Sequence, residues 1–155
     1  MIPEIGVFDA GPLIAFHQVN RLELLSHLFV HVVVPSVVAR EVAPSLGELP
    51  SWISIQDVQS SPSFSRNLGL GESKAIALAM TLAADFLVLD DARARAVATE
   101  LGISVIGSLG LLVRAKRRGL ITVVRPIMDD MIDSGLYASE QVYHDILDAA
   151  GESIR

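Results

Sequence analysis

The run Phe86-Leu87-Val88-Leu89 ends in two consecutive carboxylates, Asp90 and Asp91. A short apolar run of this kind, bounded by polar residues, is typical of a buried strand. The same arrangement occurs near the N-terminus, where Ile5-Gly6-Val7-Phe8 is followed by Asp9. Neither run shows the apolar/polar alternation of a strand with one face in water, so each is expected to be covered on both faces. Strands of this type indicate a parallel sheet.

Short apolar runs alternate with helical periodicity along the whole chain. The predicted strands are 4–8, 30–34, 53–57, 86–89 and 103–106. The predicted helices are 12–18, 21–28, 36–43, 71–84, 92–101, 108–118, 125–134 and 139–149. Strands separated by helices predict a three-layer α/β/α sandwich with a central parallel sheet of four to five strands. The segment 60–69 has the composition of a loop, either a flap beside a site or an ordinary surface connection.

The composition limits the class of protein. A chain of 155 residues fits one domain spanning 1–155, with acidic helices within about 125–150. An apolar content of 51% excludes general disorder, and the lack of cysteine excludes disulfides and thiolate zinc sites. No run has the length of a membrane span and the N-terminus has no basic lead, so a cytoplasmic protein is expected. The apolar surplus suggests a covered interface, in a homodimer or with a protein partner.

Charge is unevenly distributed. The net charge of −6 argues weakly against nucleic-acid binding, yet 92–128 holds seven Lys or Arg residues and one acid, whereas 129–152 holds seven acids and no Lys or Arg. A local basic patch matters more for docking a polyanion than net charge does. The alternative is two solvated helix faces of opposite sign, with the cations of 116–118 complementing a helix dipole.

Five carboxylates lie where predicted elements begin or end, or on their apolar stripes: Asp9, Glu41, Glu72, Asp90 and Asp91. The three aspartates follow strands and therefore share the carboxyl edge of a parallel sheet, where ligands of such folds bind. Isolated buried anions are costly, and the chain has few obvious cationic partners nearby. A hard divalent cation, Mg²⁺ or Mn²⁺, is the economical explanation, and it indicates phosphoryl-transfer or phosphodiester chemistry.

Each carboxylate also has an ordinary structural interpretation. Asp9 and Asp91 are suited to capping a turn or a helix, and Glu72 to a first helical turn. Glu41 and Asp90 could each be an ordinary surface acid that faces solvent. The shared sheet edge favours a metal site built from several of these carboxylates, because the parallel sheet alone brings the three aspartates together there.

Longer stretches around these acids resemble, in order, the PIN-domain nucleases, in particular a prokaryotic PIN-like branch long without an assigned function. The matching stretches are 8–14, 34–42, 69–79, 84–95 and 107–112 with 115–116 and 119–121, which include Phe8-Asp9-Ala10-Gly11-Pro12, Gly69-Leu70-Gly71-Glu72 and Leu89-Asp90-Asp91-Ala92-Arg93. The resemblance spans nearly the whole chain. It implies a Mg²⁺- or Mn²⁺-dependent single-strand ribonuclease on an α/β/α sandwich. It also suggests the toxin of a toxin–antitoxin pair, usually a homodimer silenced by a small antitoxin.

Carried over by position, the resemblance makes Asp9, Glu41, Glu72 and Asp91 an acidic quartet, with Asp90 as an adjacent candidate ligand. Where the family often has Ser, Thr or Asn after its first Asp, this chain has Ala10-Gly11. The expected substrate contacts are Arg93, Arg95, Ser108, Arg114 and Lys116, of which Ser108 resembles a small hydroxyl residue near the family's site.

Two other functions compete with a nuclease. A PIN-like scaffold can serve as a catalytically weak binding or regulatory module acting through a protein partner. A Mg²⁺-dependent phosphotransfer or receiver-like domain is disfavoured, because its acidic pair belongs at the first strand, whereas Asp90 and Asp91 follow the fourth apolar run.

Overall fold

The computed structural model describes residues 3–59 and 68–153. The strands are β1 (Ile5–Phe8), β2 (His31–Val34), β3 (Ile53–Ile55), β4 (Phe86–Val88) and β5 (Val105–Ile106). The helices are α1 (Ala10–Gln18), α2 (Leu24–Leu28), α3 (Ser36–Leu46), α4 (Leu70–Leu82), α5 (Ala92–Glu100), α6 (Ser108–Arg117), α7 (Arg125–Asp133) and α8 (Glu140–Ala150). Every predicted strand and helix has its counterpart here. Of the predicted loop at 60–69, residues 60–67 lie outside the described residues.

The five strands form one parallel sheet in the order β3-β2-β1-β4-β5. The chain steps outward from β1 to β2 and β3, and then returns across β1 to β4 and β5. The carboxyl ends of β1 and β4 are therefore neighbours at the point where the strand order reverses. The backbone N–H of Asp9 donates a hydrogen bond to the carbonyl oxygen of Val88 at 3.0 Å, which fixes Asp9 beside the end of β4.

Two apolar layers cover the sheet, as the lack of alternation predicts. Phe8 and Val88 point into a layer built with α1, α2, α3 and α6–α8, whereas Val7 and Leu87 point into a layer built with α4 and α5. All four side chains are fully buried. The α/β/α sandwich predicted from the sequence is confirmed.

The end of α3 differs from the prediction, whereas its start at Ser36 agrees with it. Pro35 is the N-cap residue, and Oδ1 of Asp57 accepts a hydrogen bond from the Ser36 N–H at 2.9 Å. The hydrogen bonds from the backbone and side chain of Ser36 lower the pKa of the Asp57 carboxyl. The helix also continues past Pro44 to Leu46, because a proline so near the end disturbs only the last turn.

Within the described ranges, no helix combines the length and the apolar character that crossing a bilayer requires.

Candidate active site

A pocket of about 440 Å³ opens at the carboxyl edge of the sheet, between the first turns of α1 and α4 and the middle of α3. Three of the predicted carboxylates, Asp9, Glu41 and Glu72, line it together with Val37. These residues are up to 63 positions apart along the chain, so the fold, and not local sequence, brings them together. The three acids face one cavity as the sequence analysis expects.

Asp9 is the most perturbed acid of the pocket. It immediately precedes α1 and is half-buried. The pKa of Asp9 is raised to about 6, chiefly by burial and also by the negative charges of Glu72, Glu41 and Asp90, while a hydrogen bond from the Ala10 amide partly opposes the rise. A carboxyl with such a pKa lies in an environment that is short of positive charge.

Glu72 and Glu41 reach the pocket from different helices. Glu72 is in the first turn of α4, where its Oε1 accepts a hydrogen bond from the Gly69 N–H at 2.9 Å and so helps to cap the helix. Glu41 was expected on the apolar face of α3, but it is exposed, because the neighbouring Val38 and Val42 occupy that face. Its carboxylate crosses to α4 and lies against Gly71.

The structure separates the roles of the two consecutive aspartates. Oδ1 of Asp90 accepts a hydrogen bond from the Ser108 N–H, and Oδ2 accepts one from the Ser108 hydroxyl, both at 2.7 Å. The charge of Asp90 acts on Asp9. Asp91 is exposed, and its Oδ2 accepts a hydrogen bond from the Ala94 N–H at 2.9 Å as the N-cap of α5. Asp90 is therefore the member of the pair that faces the pocket acids.

Ser108 has a supporting position. It was expected among the substrate contacts, but its side chain is fully buried and its hydroxyl is committed to Asp90. Its place at the start of α6 also lets its backbone N–H bind the same carboxylate.

The predicted basic contacts divide into two groups. Arg93 is exposed in the first turn of α5, and the Arg95 guanidinium lies beside Gly107, next to Asp90. Arg114 instead packs its guanidinium 4.5 Å from the ring centre of Phe86, at the amino end of β4. That end is opposite to the edge that carries the acids.

Lys116 also lies away from the pocket. Its Nζ donates hydrogen bonds to the Ala150 carbonyl oxygen at 2.6 Å and to Oε2 of Glu152 at 2.9 Å. Arg114 and Lys116 were expected to meet the substrate, but in the structure both side chains are engaged in contacts within the fold.

A second cavity of about 630 Å³ begins at Asp90 and Arg95 and runs along β5 toward the segment before α8. Tyr137 lines it with 86% of its surface exposed. Neither Tyr137 nor Gly71, which the Glu41 carboxylate approaches closely, was among the site residues expected from the sequence. An aromatic residue directly after the Gly135-Leu136 turn, and a glycine within a helix-forming stretch, were the available signals.

The pocket acids suit a hard divalent cation, because they offer carboxylate oxygens as ligands and negative charge to balance that of the cation. Between described residues the one salt bridge joins Lys116 to Glu152, so the pocket acids have no ion-pair partner there. No group of three or more His, Cys, Asp or Glu residues in the described part of the chain is already arranged around a common metal position. Mg²⁺ needs only one or two carboxylates and retains several waters. The residues therefore fit such an ion without forming a closed cage.

Comparison with known proteins agrees with this architecture. Residues 5–152 match the family model described as "DUF3368: PIN domain". A similar solved structure is a PilT N-terminus domain protein from the hyperthermophilic archaeon Sulfolobus solfataricus P2, with a TM-score of 0.51, 16% identity, and coverage of 88% of this chain and 98% of that chain. At that identity the likeness concerns the fold alone. No curated protein sequence matches the chain. The match over nearly the whole length shows that this chain belongs to the PIN-domain family.

Proposed function

We propose that this protein is an endoribonuclease that cleaves single-stranded RNA with Mg²⁺ or Mn²⁺ as its cofactor. The observation that carries the proposal is that Asp9, Glu41 and Glu72 line one pocket at the switch point of a parallel sheet. Ligands of open α/β sheets bind at that point. The family of the chain supports a nuclease-type activity.

The acids of the site would have different roles. Asp9, Glu72 and Asp90 would hold the cation, and Glu41 would complete the acidic wall of the pocket. Of the two aspartates after β4, Asp90 is the better candidate ligand, since its charge acts on Asp9, whereas Asp91 is exposed and caps α5. When bound, the divalent ion supplies Lewis acidity to the scissile phosphate and a water of lowered pKa.

Other side chains would position the RNA. Arg95 lies next to Asp90 and would meet a backbone phosphate, while exposed Arg93 would add a weaker contact. The ring of Tyr137 would stack on a base at the far end of the same groove. Arg95 and Tyr137 both line the cavity that begins at Asp90, which supports a continuous path for a single strand.

We further propose that the protein is the toxin of a toxin–antitoxin pair, a homodimer inhibited by a small antitoxin protein in the cytoplasm. Leu70 at the mouth of the pocket is 62% exposed, and Met80 on the same helix is 43% exposed. The exposed apolar side chain of Leu70, at the mouth of the pocket, is suited to a surface that a partner covers. Light scattering of the isolated protein, and co-purification with the product of the adjacent gene, test the dimer and the antitoxin.

The activity is tested with a fluorescently labelled single-stranded RNA in the presence of Mg²⁺, Mn²⁺ or EDTA. Cleavage should require the metal and should fall at least about 100-fold in Asp9→Asn. Glu100→Gln, which changes an exposed acid at the end of α5, is the matched control and should cleave normally. Circular dichroism should show both variants folded.

Two results would count against the nuclease. If the Asp9→Asn variant cleaves RNA like the wild type, the pocket carboxylates are not the catalytic site. Absence of cleavage by the wild type, with partner binding that Asp9→Asn does not weaken, would favour the binding-module alternative. That alternative is consistent with the lack of a preassembled metal cluster among the described residues.

A further inference from the structure

Gly71 is the second residue of α4, between exposed Leu70 and the pocket acid Glu72. It is buried, and its φ is not in the left-handed region that favours glycine. An alanine would fit the same backbone conformation and would favour the helix. The backbone therefore does not require glycine at this position, and the reason for it must lie in the space around it.

That space is occupied by the carboxylate of Glu41. A Cβ built on Gly71 would lie 3.1 Å from Cδ and 3.4 Å from Oε2 of Glu41, and closer still to Oε1. Real Cβ atoms essentially never approach another atom as closely as this one would approach Oε1, so one of the two groups would have to move. The two helices pack against each other here, which leaves little freedom to separate them.

The side chain of Glu41 is the part that would yield. The residues Val38 and Val42 on the same helix are fully buried in the core and hold the backbone of α3 in place. The Glu41 carboxylate is the end of a flexible, exposed side chain and can turn toward solvent. A methyl group at position 71 would thus move the carboxylate out of the pocket without moving either helix.

A second carboxylate of the site approaches a glycine in the same way. A Cβ on Gly107 would lie 2.9 Å from Oδ1 of Asp90 and 2.9 Å from Nη1 of Arg95. By contrast, a Cβ on Gly11, in the first turn of α1, would meet nothing within 4 Å. A carboxylate therefore lies close to Gly71 and Gly107 but not to every glycine near the pocket.

We infer that Gly71 is a positioning residue, and that its lack of a side chain is what admits the Glu41 carboxylate to the pocket. The contribution of Glu41 to cation affinity, as part of the acidic wall of the pocket, rests on the proposed function, whereas the steric relationship between the two residues does not. Gly71 touches neither cation nor RNA in this inference and acts only through Glu41.

The first test compares the wild type with Gly71→Ala, and uses Gly11→Ala as the matched control. A crystal structure of Gly71→Ala should show the Glu41 carboxylate turned out of the pocket and α4 unshifted. Calorimetric titration with Mn²⁺ alone should show affinity reduced about 10-fold, the size typical for loss of a supporting residue. Gly11→Ala should bind Mn²⁺ as the wild type does, and the melting temperatures should agree within about 3 °C.

The second test asks whether Gly71 acts through Glu41. In a Glu41→Gln background, Gly71→Ala should cause no further loss of Mn²⁺ affinity, because the affected carboxylate is already gone. Glu41→Asp, whose side chain is one methylene shorter, should restore part of the affinity lost in Gly71→Ala. A merely structural role of Gly71 would produce neither result.

The outcomes separate this inference from the proposed function. An unmoved Glu41 carboxylate in Gly71→Ala, or an equal affinity loss with and without Glu41, would overturn the inference. A wild type that binds Mn²⁺ but does not cleave RNA would overturn the nuclease and leave the inference standing. A wild type that does not bind Mn²⁺ would remove the cation role of Glu41, and the crystal structure would still decide the steric relationship.

Discussion

Ser108 holds Asp90 at both carboxylate oxygens, through its backbone N–H at one and its hydroxyl at the other, each at 2.7 Å. The serine is fully buried and begins α6, so both donors belong to a rigid element. A carboxylate held in this way keeps one orientation toward Asp9, whose pKa its charge raises. The arrangement resembles the hydrogen-bonded support that metal-ligating carboxylates commonly have.

Ser108→Ala should therefore impair the site more than the fold. Losing the hydroxyl leaves Asp90 with one donor, and we expect kcat/KM for RNA to fall about 10- to 100-fold. The free energy of unfolding should fall by about 1–2 kcal/mol, measured by urea denaturation. Ser104→Ala, at an exposed serine, is the control. An unchanged kcat/KM would show that the orientation of Asp90 does not matter.

Asp9 should make the metal-free protein less stable as pH rises. Well below pH 3.8 the carboxyl is protonated in both the folded and the unfolded chain, so it has no unfavourable effect. Between its ordinary pKa of 3.8 and the folded value of about 6, the unfolded chain releases its proton first, and folding stability is lost. The full loss is about 3 kcal/mol above pH 7, since one pKa unit corresponds to about 1.4 kcal/mol.

Asp9→Asn should recover most of that free energy in EDTA at pH 7.5 and should change little at pH 3.5. Urea denaturation at the two pH values measures the difference. Added Mn²⁺ should stabilise the wild type but not the variant, because a bound cation favours the ionised carboxylate. An Asp9→Asn protein that is less stable than the wild type at pH 7.5 would contradict the prediction.

Arg95 and Arg114 should behave differently toward RNA. Arg95→Ala should weaken binding of single-stranded RNA in EDTA and reduce the slope of log Kd against log salt by about one, as expected for one lost phosphate contact. Arg114→Ala should leave that slope unchanged, because its guanidinium packs on Phe86 at the other edge of the sheet. Fluorescence anisotropy at several salt concentrations measures both. Equal effects of the two changes would argue for a non-specific contribution of charge.

Glu152 should stabilise the C-terminal part of the fold. Its carboxylate accepts hydrogen bonds from the N–H groups of Val124 and Arg125, at 2.7 and 3.0 Å, and from Lys116. Burial opposes its ionisation, but these hydrogen bonds outweigh that effect and lower the pKa of Glu152. The stabilisation should therefore be present above the ordinary pKa of 4.5 and disappear as pH falls through the lower, folded value.

Glu152→Gln should reduce the free energy of unfolding by about 1–3 kcal/mol at pH 7 and by much less in acid. Denaturation of the variant at both pH values tests this, with Glu140→Gln, at an exposed acid, as the control. RNA affinity should not change, because Glu152 and its partner Lys116 lie away from the acidic pocket. A loss that is equal at both pH values would mean that the charge of Glu152 is unimportant.

Local pattern was sufficient to predict the elements and part of the site. The apolar runs before Asp9 and Asp90 are strands, and in a parallel sheet their ends necessarily meet at one edge. The capping role of Asp91 could also be predicted from the sequence, since an aspartate just before a stretch with helical periodicity is a common N-cap. Elements were predicted well because periodicity and strand ends are properties of neighbouring residues.

Contacts between residues far apart in the chain could not be predicted from the sequence. Asp57 caps α3 from 21 positions away, and Lys116 pairs with Glu152 across 36 positions. From sequence, Lys116 was only one cation of a basic segment, and its choice of partner depended on how α6 and α8 pack. The exposure of Glu41 likewise follows from which side of α3 faces the core.

The sequence by itself determined a parallel sheet covered by helices, with acids at the carboxyl ends of its strands, because these follow from the order of apolar and polar residues along the chain. Only the tertiary structure decided that Glu41 crosses to Gly71, that Asp90 rather than Asp91 faces Asp9, and that Arg114 lies at the opposite edge. The physical reason is that strand order and helix packing set distances between residues far apart in the chain, and local periodicity carries no information about those distances.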